Sequence, residues 1–164
     1  MGTRSRIGVM HGDKVKSVYC HWDGYLEHNG EILQTHFDSA RANHLVALGD
    51  MSSLGPVIGQ AHPFSQFEIK EDDPEREAKL ALIELAKHEG WCTFYGRDRG
   101  ETGTEHKVAH TFVEFLEQAD GCGAEFYYIM KDDVWYCGTT YDTGALAGKL
   151  VSLTEALATV TETA

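Results

Sequence analysis

Two pairs of short apolar runs, each joined by a tight polar turn, constrain the fold of this 164-residue chain more than any other feature. Residues 6–10 and 15–20 flank a turn that contains Gly12, and residues 125–130 and 134–137 flank a second turn. Runs rich in β-branched and aromatic residues on both sides of such a turn are typical of a β-hairpin. The sequence therefore predicts two hairpins, and a similar run at residues 91–95 adds a central strand.

Helical periodicity fills most of the chain between the hairpins. Apolar residues recur at helical spacing over residues 31–48, where Asp38 and Ser39 favour a break because both residue types prefer caps. A further helix begins after the acidic residues 71–75, which suit the positive end of a helix dipole, and ends at Gly90. Its predicted apolar face consists of Ala78, Ala81, Leu82 and Leu85.

Two more helices are indicated beyond residue 100. Thr102 and Glu105 have the spacing of a capping box, which predicts a helix start there. The last helix, at about residues 142–160, carries one stripe of large apolar residues: Leu146, Leu150, Leu153, Leu157 and Val160. Such a stripe fits packing on the chain's own sheet, or a homodimer or partner contact.

The order of these elements predicts the fold class. Hairpins that are separated by amphipathic helices indicate α+β architecture. A length of 164 residues is that of one domain. We therefore expect a single α+β domain over residues 1–164, with a mostly antiparallel sheet built from two hairpins and a central strand, and with three to four packed helices.

The charge of the chain restricts its partners. Asp and Glu number 26 against 14 Lys and Arg, which gives a net charge of −12. Proteins that bind nucleic acid directly usually have the opposite sign, so direct nucleic-acid binding is not expected. The acidity has two explanations: it keeps a small protein soluble, or it forms a negative face that docks on a basic protein which handles nucleic acid.

The cysteines and the N-terminus give expectations about environment. Cys20, Cys92, Cys122 and Cys137 are not at zinc-finger spacing, so we expect reduced thiols that pack as small apolar side chains. No stretch has the length and apolar character of a signal peptide or a membrane span. These patterns predict a soluble, intracellular protein without metal or cofactor.

Residues 21–25, the HWDGY segment, form the most distinctive candidate site. Trp22 and Tyr25 suit a stacking platform for a base, a ring or a partner side chain. His21 and Asp23 suit a base with its orienting carboxylate. The alternative is a structural corner, in which Trp22 is buried, Asp23 turns the chain and His21 is bonded at the sheet edge.

Residues 97–101, the RDRGE segment, form the second candidate site. Arg97 and Arg99 lie in a predicted polar loop, and each guanidinium suits bidentate binding of phosphate or carboxylate. The alternative is that Asp98 and Glu101 pair with these arginines. Because both segments follow strands, we expect them to lie close together, with Asp23 paired to Arg97 or Arg99.

A weaker pattern concerns metal binding. His106, His110 and Glu114 have the spacing of one helix face, on which residues four apart are neighbours. The HExxH pattern of zinc enzymes is absent, as are the phosphate-loop, GxGxxG and GxSxG motifs. No catalytic residue is therefore assigned from the sequence, and the candidate binding residues are those of the HWDGY and RDRGE segments: His21, Trp22, Asp23, Tyr25, Arg97, Asp98, Arg99 and Glu101.

Four blocks in the first hundred residues carry a resemblance: residues 3–8 (TRSRIG), 18–25 (VYCHWDGY), 48–54 (LGDMSSL) and 95–101 (YGRDRGE). Together they resemble a family of small accessory proteins of tailed bacteriophages and mobile elements, with HWDGY and RDRGE as the most specific blocks. The resemblance implies an early-type phage product in the bacterial cytoplasm, and it implies no catalytic role.

Two functions from different classes follow, and a third, a virion or assembly component, is less favoured because low-complexity segments, long arms and repeats are missing. The first is a binding module that modulates or inhibits a host nucleic-acid-handling or defence protein, since small acidic phage products often act by binding host proteins. The second is a ligand- or nucleotide-binding domain, or a small enzyme, whose pocket is formed by the HWDGY and RDRGE segments. Convergence of His21, Asp23, Arg97 and Arg99 in one concave site would favour the second.

Overall fold

Both expected hairpins are present in the computed structural model, which describes residues 3–140 and 150–163. The strands are β1 (Ser5–His11), β2 (Lys14–Cys20), β3 (Met51–Ser53), β4 (Thr93–Phe94), β5 (Lys107–Ala109), β6 (Phe126–Lys131), β7 (Val134–Thr139) and β8 (Val151–Ser152). The helices are α1 (Glu31–His36), α2 (Ser39–Ala47), α3 (Arg76–Glu89), α4 (Tyr95–Arg99), α5 (Phe112–Gly121) and α6 (Leu153–Thr163), with a π-helical turn at Leu26–Gly30 and a 3-10 turn at Gln66–Glu68.

One mixed sheet contains all of the described strands. Its order is β4-β3-β2-β1-β6-β7-β8, and β5 pairs with β2 outside this path. The two hairpins are joined by parallel pairing of β1 with β6, from Ser5 opposite Phe126 to Val9 opposite Met130. The β2–β3 pair is also parallel, whereas the remaining strand pairs are antiparallel. The α+β class is thus confirmed, and the strand expected at residues 91–95 lies at an edge of the sheet.

Helices cover both faces of the sheet. Tyr128 on β6 faces a large core that includes Leu33 of α1, Leu45 of α2 and Leu153 of α6. Its neighbours Tyr127 and Ile129 face a smaller core with Phe115 of α5, because successive side chains of a strand point to opposite faces. The arrangement therefore has three layers, helix on sheet on helix.

Helix boundaries follow local capping. The break expected near residue 38 is confirmed, since the Asp38 carboxylate caps α2 by accepting from the Arg41 N–H at 2.8 Å. Gly90 ends α3 in a left-handed conformation (φ 72°), as expected. The capping box predicted at Thr102 and Glu105 is wrong, because the chain there leads into β5.

The α5 helix starts later, at a second copy of the same signal. Thr111 accepts from the Glu114 N–H at 3.1 Å, and the Glu114 carboxylate accepts from the His110 N–H. Only Glu114 of the proposed metal-binding trio therefore lies on a helix. Among residues 3–140 and 150–163, no group of three or more His, Cys, Asp or Glu side chains is arranged to hold a metal ion.

The C-terminal stripe does not lie on one helix. The α6 helix begins at Leu153, which is fully buried in the large core together with Ala156. Leu150 precedes the helix and packs on the small core at the other face of the sheet. The short strand β8 lies between Leu150 and the helix and pairs with β7. Leu150 is therefore not on the helix, and the predicted single stripe is wrong at this residue. Leu146 and the Val160 side chain are outside the described part of the chain.

The cysteines are free thiols, as the sequence predicts. Burial raises the pKa of Cys20 and Cys137 to about 12 and that of Cys92 to about 11. These thiols hold their protons at pH 8 and are shielded from reagents, because the thiolate is the reactive form. Cys122 is the partly exposed member of the set.

Alkylation of the native protein by iodoacetamide at pH 8 should therefore modify Cys122 alone, and urea should expose the other three cysteines. Intact mass before and after unfolding gives the number of adducts, and peptide mapping gives their positions. A second thiol that reacts as fast as Cys122 in the native protein would contradict the packing described for the cores.

Candidate functional site

The HWDGY segment continues the edge of β2. The His21 and Trp22 N–H groups donate to the carbonyls of Met51 and Ser52, which lie on β3. Asp23 then turns the chain with a positive φ of 56°, and Gly24 is packed so closely that a Cβ there would lie 2.7 Å from the Ser5 side chain. Asp23 therefore turns the chain at a structural corner, which is the alternative to its interpretation as an orienting carboxylate for His21.

Asn29 fixes that corner from inside the fold. Its buried amide donates to Ser5 Oγ at 3.2 Å and to the Trp22 carbonyl at 3.4 Å, and its N–H donates to the Asp23 carbonyl. The sequence analysis did not identify Asn29, although an Asn beside a glycine is a common turn signal.

The aromatic side chains of HWDGY do not form one platform. Trp22 is 44 % exposed and meets the edge of His21 with ring centroids 4.7 Å apart. Tyr25 packs on His28 instead, at 6.1 Å. Burial raises the pKa of Tyr19 to about 12, and its hydroxyl is hydrogen-bonded to His21 Nδ1 at 2.6 Å. His21 is therefore held as a bonded edge residue.

The RDRGE segment begins inside α4, so the predicted loop is wrong there. Arg97 donates to Asp98 Oδ1 from Nε at 2.9 Å and to Oδ2 from Nη2 at 3.2 Å. Arg97 also donates to the carbonyls of Ile58 and Cys92, while Asp98 accepts from the N–H groups of His62 and Phe94. This pair, the Arg97–Asp98 clamp, ties residues 58–62 to β4.

The other two charged residues of the segment are at the surface. Arg99 donates to Glu68 Oε1 at 3.0 Å and lies 3.6 Å from Glu101 Oε2. Its guanidinium stacks over the Phe64 ring at 4.4 Å from the centroid. Both arginines of RDRGE are thus paired within the chain, which is the alternative that the sequence left open.

The HWDGY and RDRGE segments do not converge. Both flank β3, but β2 is parallel and β4 antiparallel to it, so the segments leave at opposite ends of these strands. The predicted ion pair of Asp23 with Arg97 or Arg99 is wrong: within the described residues, each arginine pairs with a carboxylate close to it in space. None of the concave sites that the structure describes has residues of either segment in its lining.

Two concave sites lie instead between α3 and the irregular segment that precedes it. The inner one, of about 310 Å³, has His62, Trp91 and Thr93 in its lining and is called the His62 pocket. The outer one, of about 280 Å³, lies between Phe67 and the apolar side of α3 and is called the Phe67 groove. No local sequence signal marks either site, because residues 50–67 have no regular helical or strand periodicity.

No protein-family model, curated protein or solved structure matches this chain. Within the part of the chain that the structure describes, no helix has both the length and the apolar character needed to cross a bilayer.

Proposed function

We propose that this protein is a binding module that docks on a basic protein through the Phe67 groove. The observation that carries the proposal is the exposure of Phe67, which is 88 % exposed although it lies in the middle of the 3-10 turn Gln66–Glu68. Large aromatic side chains that are exposed beside a groove are typical anchors of protein interfaces.

The groove supplies an apolar floor for such an interface. Phe64 and Phe67 line one side of it, and Leu80 and Ile83 of α3 line the other. A partner side chain in this groove would contact apolar atoms on both sides and would cover Phe67. Burial of one large apolar side chain contributes about 1.5–3 kcal/mol.

Charge complementarity indicates the chemistry of the partner. Residues 68–89 carry eight acidic and four basic side chains. Glu71, Asp72, Glu77 and Glu84 are exposed and take part in no ion pair within residues 3–140 and 150–163. A basic partner with an apolar side chain at the centre of its contact surface fits this pattern, and its association is faster at low salt.

The resemblance to phage accessory proteins narrows the proposed partner further. It supports a host nucleic-acid-handling or defence protein, bound and modulated in the bacterial cytoplasm. Homodimerisation through the C-terminal helix is not part of the proposal, since Leu153 and Ala156 of α6 are already buried on the chain's own sheet.

Phe67→Ala should weaken binding at least tenfold, because hot-spot anchors contribute about 2 kcal/mol or more. A photo-crosslinking residue at position 67 first identifies the partner in a bacterial lysate, and calorimetry with the purified partner then measures Kd. Val113→Ala is the matched control, since Val113 is 64 % exposed and lies on α5, which covers the other face of the sheet.

The proposal requires that the control binds like the parent protein and that Kd rises with salt. An equal Kd for Phe67→Ala and the parent, or a partner without a basic surface, would overturn it. Thermal melting of both variants separates a binding defect from a folding defect.

A further inference from the structure

We infer that the His62 pocket is a catalytic site for acyl transfer, in which the Thr93 hydroxyl is the nucleophile and His62 is its general base. This site adjoins the Phe67 groove and shares Phe64, Ile83 and Lys87 with its lining, but its proposed chemistry does not depend on a partner protein. It also differs from the pocket that the sequence placed between HWDGY and RDRGE.

The hydrogen bonds of His62 define which nitrogen carries its proton. Nδ1 lies 2.8 Å from the carbonyl oxygen of Gln60, which can only accept. In the neutral ring Nδ1 therefore bears the proton, and Nε2 has the free lone pair. Nε2 lies 3.3 Å from Thr93 Oγ1, so the Thr93 hydroxyl donates to it. A hydroxyl that donates to an imidazole is the basic arrangement of an activated nucleophile.

The imidazole is held rigidly for this role. Its side chain is 4 % exposed, and the Asp98 carboxylate lies 3.6 Å from Nδ1. Asp98 also accepts from the His62 N–H at 3.1 Å, and the Trp91 ring meets the imidazole edge at 5.5 Å. Hydroxyl and imidazole thus follow one another in space, and the base is oriented by the Gln60 carbonyl that accepts from Nδ1, with the Asp98 carboxylate nearby.

The surroundings of Thr93 suit a small ester that carries a negative charge. Ser53 is the cross-strand partner of Thr93 and lines the same pocket, so its hydroxyl is placed to donate to an oxyanion. Leu54 and Ile83 give the pocket apolar walls for an acyl chain. Lys87 also lines it, and no Asp or Glu is among its lining residues although the protein carries a net charge of −12.

The reaction balances with water as the only co-reactant. Thr93 Oγ1 bonds to the ester carbonyl carbon while its proton passes to His62 Nε2. The bond from that carbon to the alcohol oxygen then breaks, and the leaving alcohol takes the proton from Nε2. Water then adds to the acyl-Thr93 carbonyl and gives a proton to Nε2. Nε2 returns this proton to Thr93 Oγ1 as the bond between Oγ1 and the acyl carbon breaks, which releases free Thr93 and a carboxylic acid.

A fluorophosphonate probe tests the site directly, because it phosphonylates activated hydroxyl groups. Intact mass and peptide mapping should find one adduct on Thr93 in the parent protein. Thr93→Ala should remove this adduct, and Thr93→Ser should keep it at the same position. His62→Gln should slow labelling about 100-fold or more, in line with the usual contribution of a general base.

Thr154→Ala is the matched control, since Thr154 is an exposed hydroxyl on α6 and should leave labelling unchanged. Hydrolysis of a 4-nitrophenyl monoester of glutaric acid measures turnover. In this assay Lys87→Ala should raise the KM for the ester more than it lowers kcat. The inference is overturned if Thr93 acquires no adduct in either the parent or Thr93→Ser, or if a folded His62→Gln labels at the parent rate.

Discussion

Replacement of Asp98 by alanine should lower the free energy of unfolding by about 3–5 kcal/mol, because it leaves the Arg97 guanidinium without its charge partner inside the protein. The Asp98 side chain is fully buried and that of Arg97 is 14 % exposed. The variant also removes the acceptor of two backbone N–H groups, those of His62 and Phe94. Urea denaturation followed by circular dichroism measures the loss.

Glu101→Ala is the matched control for this experiment. Glu101 is also an acidic residue of RDRGE that pairs with an arginine, but both side chains are more than two-fifths exposed. Exposed pairs contribute about 0–1 kcal/mol, so this variant should stay close to the parent protein. Equal losses for Asp98→Ala and Glu101→Ala would show that the clamp does not stabilise the fold as described.

Replacement of Leu153 by alanine should lower the free energy of unfolding by about 2–5 kcal/mol, because it opens a cavity in the large core. Leu153 is completely buried, whereas Leu85 on α3 is 40 % exposed and provides a matched leucine control with a much smaller loss. The melting temperature of Leu153→Ala should fall by the same amount at every protein concentration, as expected for packing within one chain.

A dimer contact at the same helix gives a different result. The melting temperature of the parent protein would then rise with its concentration, and Leu153→Ala would shift the sedimentation coefficient toward that of the monomer. Analytical ultracentrifugation of both proteins distinguishes the two arrangements.

Local signals predicted much of the fold. The hairpins, the break at Asp38 and the end of α3 at Gly90 each depend on a few neighbouring residues, and the structure confirms them. The capping rule was also valid, but it applied to Thr111 and Glu114, since a short pattern occurs by chance at more than one place.

Features that depend on distant parts of the chain were not predictable in this way. The parallel pairing of β1 with β6 has no local signal, because the paired residues are far apart in the sequence. On α3 the expected face was Ala78, Ala81, Leu82 and Leu85, whereas the buried residues are Ile83 and Ala86. This helix packs against the irregular segment before it, which a periodicity argument does not include.

In the candidate sites, too, local signals predicted some features, whereas others depend on distant parts of the chain. Sequence reasoning selected Arg97 and Asp98 for their charges, and the structure shows them bonded to each other and to the backbone. His62 and Thr93 are 31 positions apart and have no spacing that marks them as a pair. Their contact exists because the Arg97–Asp98 clamp holds residues 58–62 against β4.

The parallel pairing of β1 with β6, which joins the two hairpins, affects folding kinetics. Ser5 on β1 pairs with Phe126, 121 positions later, so the centre of the sheet is a contact of very high sequence separation. The chain loses conformational entropy when it closes such a long loop, before the strand pairing contributes any stabilisation. Folding is therefore slower than in proteins with local contacts. During synthesis the first hairpin therefore keeps one edge of β1 unpaired until β6 has left the ribosome.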